Sequence, residues 1–350
     1  MPAEAVRTLE VVDTHYGGDV SRIVLGGVGP LPGATVFEQM RFLEREADGL
    51  RRLLLHPPHG DPRMCVDLVV APSDPEAQAG YIIMEAMGYP PFSGSNTVCM
   101  VTALLESGRI RAREGPQEVR LEAPAGLVRA EAEVRDGRVV CVTVEGGPAY
   151  VAERGLTARV PGHGEVTFDL VWSGCFYAVI DAGAVGIAVT GSRVADLLAL
   201  ARSFVEAARE TELPLVHPEL GAIGPLSFVC FAGPVERTGE GRFRTPSATY
   251  VHPDVLCSCP TGTGTSARIA LLRSEGRITE GEVLDTVSPN GSTIRGTVLA
   301  DAHVGGLPAV RSTIAGRAFT LARSQIVIDS ADPMVADHGL GAIPSSGGAG

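Results

Sequence analysis

Apolar residues recur along this chain with two periods, and the two kinds of run alternate. Short β-branched stretches bounded by turn residues predict strands at 8–12 (TLEVV), 21–26 (SRIVLG), 66–70 (VDLVV) and 81–85 (YIIME). Residues 34–53 carry apolar positions at helical spacing with Glu and Arg between them, which predicts a helix. The loop 56–63 (HPPHGDPR) cannot continue it, because its three prolines lack donors and restrict their neighbours. Residues 88–96 (GYPPFSGSN) read as a turn, and 97–107 as a helix closed by Gly108. From about 118 the strand pattern restarts in EVRLEA, LVRAEAEV and RVVCVTVE. The longest helix candidate spans 193–213, and 226–232 is a strand. A turn at 257–266 opens a helix over about 265–275 that ends at Gly276, and 308–329 reads as two more strands. The tail, SSGGAG, is expected to be disordered.

Comparing the chain with itself changes this picture most. SGSNTVCMVTALLESGRI (93–110) aligns without gaps on TGTGTSARIALLRSEGRI (261–278), an offset of 168. Identities fall at Gly94/Gly262, Thr97/Thr265, Leu104/Leu272, Gly108/Gly276, Arg109/Arg277 and Ile110/Ile278, six of eighteen. Ser93 and Thr261, which lead the two copies, are both hydroxyls. The repeat predicts two pseudo-equivalent α/β halves, each with a turn feeding a central helix. The first N–H groups of a helix have no internal partner and lie at the positive end of its dipole, so each turn is suited to an anion. Two such termini facing each other would grip a small carboxylate, with the side chains of 93 and 261 on opposite sides of an α-carbon. No Lys follows the glycines, so neither turn is a P-loop.

Composition sets limits. At 350 residues the chain has room for two domains. Apolar residues at 45% and charged residues at 20% indicate a globular protein and exclude wholesale disorder. With 43 Gly, 25 Pro and 5% aromatics, strands and tight turns are favoured over a helical bundle. A net charge of −12 argues against nucleic acid as a partner. No run reaches the ~18 apolar residues of a membrane span, and the N-terminus lacks a basic-then-apolar leader, so a cytoplasmic protein is expected. The seven Cys are odd in number and scattered, which points to reduced thiols. Cys257-Ser258-Cys259 is too tight for a metal knuckle and has no second Cys/His cluster near it, so no metal is expected.

With these residues in view, the chain resembles the proline racemase family, which includes 4-hydroxyproline 2-epimerases and trans-3-hydroxy-L-proline dehydratases. The resemblance rests on VVDTHYGGDVSRIVLGGVGPLPGAT (11–35), YPPFSGSNTVC (89–99), PTGTGTSARIALL (260–272) and VRSTIAGRAF (310–319). It implies a diaminopimelate epimerase-like α/β (α+β) fold. Each of two pseudo-symmetric halves would wrap strands around a central helix, with the active site in the cleft between them. The halves are placed at 1–120 plus 318–350 and at 121–317. No cofactor is implied, and a homodimer is expected.

In racemases of this family two cysteines flank the substrate α-carbon. The first lies in Cys-Gly-His, matched here by Ser93-Gly94-Ser95. The second lies in Asp-Arg-Ser-Pro-Cys-Gly-Thr-Gly, matched by residues 257–264. The catalytic positions are therefore Ser93 and Thr261, with Ser95 in place of the His and Cys257 in place of the Asp that contacts the substrate amine. The substrate-binding positions are Gly94, Ser95, Asn96, Cys257, Gly262 and Thr263.

These departures bear on the chemistry. Two-base racemisation suits thiols with a pKa near ~8.5, and a hydroxyl needs activation. One-sided dehydration of trans-3-hydroxy-L-proline to Δ1-pyrroline-2-carboxylate is the reading this favours, with Ser93 moving the proton and Thr261 shaping the other face. The alternatives are 4-hydroxyproline 2-epimerase or proline racemase, with a thiol of Cys257 or Cys259 recruited as base, and a catalytically silent binder of proline-like amino acids. Asp13, Thr14 and His15 are read as structural. His252 and Asp254 are candidates for holding the substrate amine. Trp172, Phe176 and Tyr177 are read as core.

Overall fold

The computed structural model describes residues 6–336 and 338–344, so the SSGGAG tail lies outside the described residues. The chain begins with β1 (Val6–Tyr16), β2 (Asp19–Gly26), α1 (Val36–Glu46), α2 (Gly49–Leu54), β3 (Cys65–Val70) and β4 (Ala79–Met84). Then come α3 (Gly94–Glu106), β5 (Gly115–Ala123), β6 (Gly126–Arg135) and β7 (Arg138–Glu145). β8 (Tyr150–Val160), β9 (Gly164–Trp172), β10 (Phe176–Asp181) and α4 (Val194–Arg209) follow. After them run β11 (Val216–His217), β12 (Gly221–Ala222), β13 (Phe228–Ala232), β14 (Glu236–Gly239), β15 (Arg242–Val251) and β16 (Val255–Leu256). The chain closes with α5 (Gly262–Ser274), β17 (Val283–Val287), β18 (Thr293–Val304), β19 (Leu307–Gly316), β20 (Ala318–Asp329) and α6 (Pro333–Ala336).

The chain divides into two compact units, Met1–Val144 with Arg317–Gly350, and Glu145–Gly316. The sequence reading assigns 121–144 to the second half; here they lie in the first. β6 folds back on β5, and β7 on β6, so the hairpins carry this stretch with the strand that precedes it.

Each unit repeats one topology. The first orders its strands β20-β1-β2-β3-β4-β5-β6-β7. The second orders them β8-β9-β10-β13-β15-β17-β18-β19. Along both, successive pairings are antiparallel, antiparallel, parallel, antiparallel, parallel, antiparallel, antiparallel. Parallel neighbours need a crossover, and helices supply it at matching places. α1 and α2 link β2 to β3 as α4 links β10 to β13; α3 lies between β4 and β5 as α5 lies between β15 and β17. The 168-residue repeat is therefore the visible trace of a whole duplicated unit. β20, from the far end of the chain, occupies in the first unit the place of β8 in the second.

The surface helices and the central helices have different burial. α4 buries Leu197, Leu200, Ala201, Phe204, Val205 and Ala208, a single stripe at helical spacing. α3 is buried almost all round, from Asn96 to Leu105, and α5 from Gly264 to Leu272. Gly108 (φ 79°) and Gly276 (φ 68°) end these two helices in the left-handed region, as the sequence predicts. The expected helix over 34–53 breaks at Ala47–Asp48, where Asp48 turns its carboxylate to Arg51 (2.6 Å) and Tyr89 (2.8 Å). Among the described residues no helix is long and apolar enough to cross a membrane.

Candidate active site

α3 and α5 begin three residues earlier than the composition of their first turns suggests, at Gly94 and Gly262. Gly-rich sequence reads as turn, but here a capping hydroxyl precedes it and fixes the helix start. Ser93 is the N-cap of α3, and its Oγ accepts from the Asn96 N–H at 3.5 Å. Thr261 is the N-cap of α5, and its Oγ1 accepts from the Gly264 N–H at 3.0 Å. The duplicated threonines brace both caps. Thr97 Oγ1 donates to the Ser93 carbonyl (2.7 Å) and pairs with the Tyr81 hydroxyl (2.6 Å). Thr265 Oγ1 donates to the Thr261 carbonyl (2.9 Å) and pairs with Thr286 (2.6 Å). The N–H groups of Gly94 and Ser95, and of Gly262 and Thr263, have no acceptor within their own helices. These are the donors an anion would use.

The two caps differ in how fully their hydroxyls are engaged. Ser93 is half-buried, and its Oγ makes two long contacts among the described residues: 3.5 Å to the Asn96 N–H and 3.4 Å to Ser95 Oγ. Thr261 Oγ1 is held by three groups: the Gly264 N–H, Thr249 Oγ1 (3.1 Å) and the Tyr177 hydroxyl (3.4 Å). Tyr177 also bonds Thr263 Oγ1 at 2.7 Å, and burial holds its phenol far above the usual range, so it stays protonated. Thr261 adopts φ 63°, ψ 143°. A β-branched residue there is a strained outlier costing on the order of 1–3 kcal/mol. Its N–H faces Cys259 Sγ at 3.3 Å, and Cys259 is buried.

The first turn has an acid behind it. Asn96, 3% exposed, donates its side-chain amide to Glu85 Oε1 at 3.0 Å. Cys65 Sγ donates to the same oxygen at 3.5 Å. Burial raises the Glu85 pKa; the Asn96 and Cys65 hydrogen bonds oppose the rise, and Asp19 adds to it. Asp67, fully buried in β3, accepts from Ser21 Oγ at 2.5 Å, and burial pushes its pKa well above the usual carboxylate range.

The sequence-selected residues therefore gather as two capped turns: Ser93, Gly94, Ser95 and Asn96 in one, and Cys257, Thr261, Gly262 and Thr263 in the other. Cys257 is half-buried and its N–H donates to the Thr249 carbonyl at 2.8 Å. The amine-binding role considered for Asp254 finds no support, because Arg202 of α4 binds both its oxygens at 2.8 Å. Burial lowers the pKa of His252, favouring its neutral form. The structural reading of Asp13, Thr14 and His15 agrees with their contacts. Asp13 pairs with Arg22, Thr14 bonds the Ser21 carbonyl, and His15 Nδ1 accepts from the Gly18 N–H. Tyr177 is fully buried, as the core reading expects, and its hydroxyl also reaches the second cap; sequence reasoning missed Thr249 and Glu85, because nothing local in their sequence marks them as neighbours of a helix cap. Among the described residues no three His, Cys, Asp or Glu side chains form a metal-ligating group.

Comparison with known proteins adds to this geometry. The chain matches the family model described as Proline racemase over residues 11–339. It is 37% identical to 4-hydroxyproline 2-epimerase 1 of Rhizobium rhizogenes (strain K84) over 330 residues, 94% of each chain. It superposes with a TM-score of 0.86 on a probable proline racemase from Agrobacterium radiobacter K84 with bound carbonate, 36% identical and covering 93% of this chain and 95% of that one. It also superposes with a TM-score of 0.84 on a hydroxyproline epimerase from Agrobacterium vitis with bound trans-4-hydroxy-L-proline, 32% identical over 96% of this chain and 98% of that one. The duplicated architecture is the diaminopimelate epimerase-like fold that the resemblance implied.

Proposed function

As a member of the proline racemase family, this chain, we propose, moves the α-proton of a hydroxyproline, and 2-epimerisation of 4-hydroxyproline is the reading with most support. The observation that carries it is the pair of hydroxyl-capped helix N-termini, in a chain similar over almost its whole length to a 4-hydroxyproline 2-epimerase. The reading assigns the substrate carboxylate to the N–H groups of Gly94, Ser95, Gly262 and Thr263. It makes Ser93 and Thr261 the residues that take the proton from C2 and return one. No cofactor enters these steps.

A second reading has its own support. Thr261 Oγ1 is already engaged by three groups, whereas the contacts of Ser93 Oγ are long. That inequality suits one-sided chemistry, in which Ser93 takes the α-proton of trans-3-hydroxy-L-proline, the 3-hydroxyl leaves as water, and the enamine tautomerises to Δ1-pyrroline-2-carboxylate.

Proton NMR in D2O separates the two. Deuterium entering C2 of trans-4-hydroxy-L-proline with inversion supports the epimerase. Conversion of trans-3-hydroxy-L-proline alone, to a pyrroline, supports the dehydratase. No exchange with either compound or with L-proline overturns both and points to a silent binding protein.

A further inference from the structure

We propose that Glu85 is a positioning residue for the first turn: through the Asn96 side chain it holds the N–H that contacts Ser93 Oγ. The inference rests on the proton-transfer reading above. Ser93 lacks the neighbouring histidine that the family pattern places two residues on, where this chain has Ser95, so whatever orders the turn lies elsewhere. Asn96 supplies the link. Its main-chain N–H reaches Ser93 Oγ at 3.5 Å, while its amide Nδ2 donates to Glu85 Oε1 at 3.0 Å. An Asn side chain buried to 3% exposure must satisfy its donors, and a carboxylate is a strong acceptor for one of them. Glu85 sits just beyond β4 and is anchored as backbone: its N–H and carbonyl both pair with Gly88, and Arg51 Nη1 donates to its carbonyl at 3.0 Å. The acid is thus fixed at one end and holds the turn at the other.

The charged and titratable groups around Glu85 are few. Cys65 of β3 donates to its carboxyl, Asp19 adds negative potential, Arg51 of α2 addresses the carbonyl, and Glu85 in turn raises the pKa of the buried Asp67. Ionised Glu85 makes a charge-assisted bond to Asn96; protonated Glu85 makes a weaker one. Turnover should therefore rise with pH through the Glu85 ionisation, on an acid limb displaced upward from that of an ordinary carboxylate.

The test compares Glu85→Gln and Glu85→Ala with the intact chain, reading C2 proton exchange across pH together with the Asn96 side-chain amide signals by 15N NMR. Glu85→Gln keeps an acceptor for Asn96 and is expected to exchange within about threefold of the parent at high pH, with the acid limb gone. Glu85→Ala is expected to lose about tenfold to a hundredfold in kcat at nearly unchanged KM. The Asn96 amide signals should titrate with pH in the parent and stay flat in Glu85→Gln. Parental exchange in Glu85→Ala, or an acid limb surviving in Glu85→Gln, overturns the inference. If the parent exchanges no proline at all, the function reading fails, and the amide titration still decides the inference: a flat parental titration overturns it.

Discussion

The N–H of Gly264 lies 3.0 Å from Thr261 Oγ1, and a Cβ added to Gly264 would lie 2.4 Å from that same oxygen. The second cap tolerates no side chain at this position. Gly264→Ala would push the Thr261 hydroxyl away and break the cap, and the Thr249 hydroxyl, 2.9 Å from the new methyl, closes the other exit. We expect loss of turnover and about 1–3 kcal/mol of stability, read by C2 exchange and urea unfolding. Full activity in Gly264→Ala would show that Thr261 Oγ1 has no part in the chemistry.

Thiols should improve on the hydroxyls. The proposed reading gives Ser93 and Thr261 the proton transfer, and a thiol ionises far more readily than an alcohol. The double variant Ser93→Cys, Thr261→Cys is expected to invert C2 of 4-hydroxyproline at least about tenfold faster than the parent. Chiral chromatography of the product mixture measures it; no gain would count against the placement of these positions at C2.

Tyr177→Phe removes one hydroxyl that touches both Thr261 (3.4 Å) and Thr263 (2.7 Å). The expected cost is about 1 kcal/mol in stability, with a fall in kcat as the second turn loosens. An unchanged kcat in the presence of that stability loss would confine Tyr177 to a structural role.

Stability should fall with rising pH through the buried acids. Burial raises the folded-state pKa of Asp67 above its unfolded value, so the folded chain holds that proton more tightly. The favourable contribution is complete below the unfolded pKa of about 4 and is lost as pH climbs through the folded value. The urea midpoint of the parent should fall relative to that of Asp67→Asn as pH rises from acid to neutral. Glu85, shifted the same way, accounts for a remaining slope. Identical slopes in the parent and Asp67→Asn would contradict the assignment.

Much of the local geometry of the candidate site is legible in the sequence because capping is local. Ser93 with Asn96, and Thr261 with Gly264, are three residues apart, and the repeat that exposed them needed no structure to be seen. The helix starts lie three residues before the positions that glycine composition suggests, because the capping hydroxyls of Ser93 and Thr261 fix them. The break at Ala47–Asp48 went unseen because Tyr89, which helps to hold Asp48, is 41 residues away.

The sequence by itself determined the duplication, the two hydroxyls at the heads of matching helices and the glycines that end those helices, since each depends on neighbours within a turn or on comparison of the chain with itself. Only the three-dimensional fold sets how tightly each hydroxyl is held: two long contacts at Ser93 Oγ, three partners at Thr261 Oγ1. Tyr177 reaches Thr261 across 84 residues, and Glu85 reaches Asn96 around a loop of 11. It alone also decided that β20 completes the first unit by pairing Asp329 with Val6. Such pairings are set by the packing of strands distant along the chain, and no local propensity or periodicity encodes them.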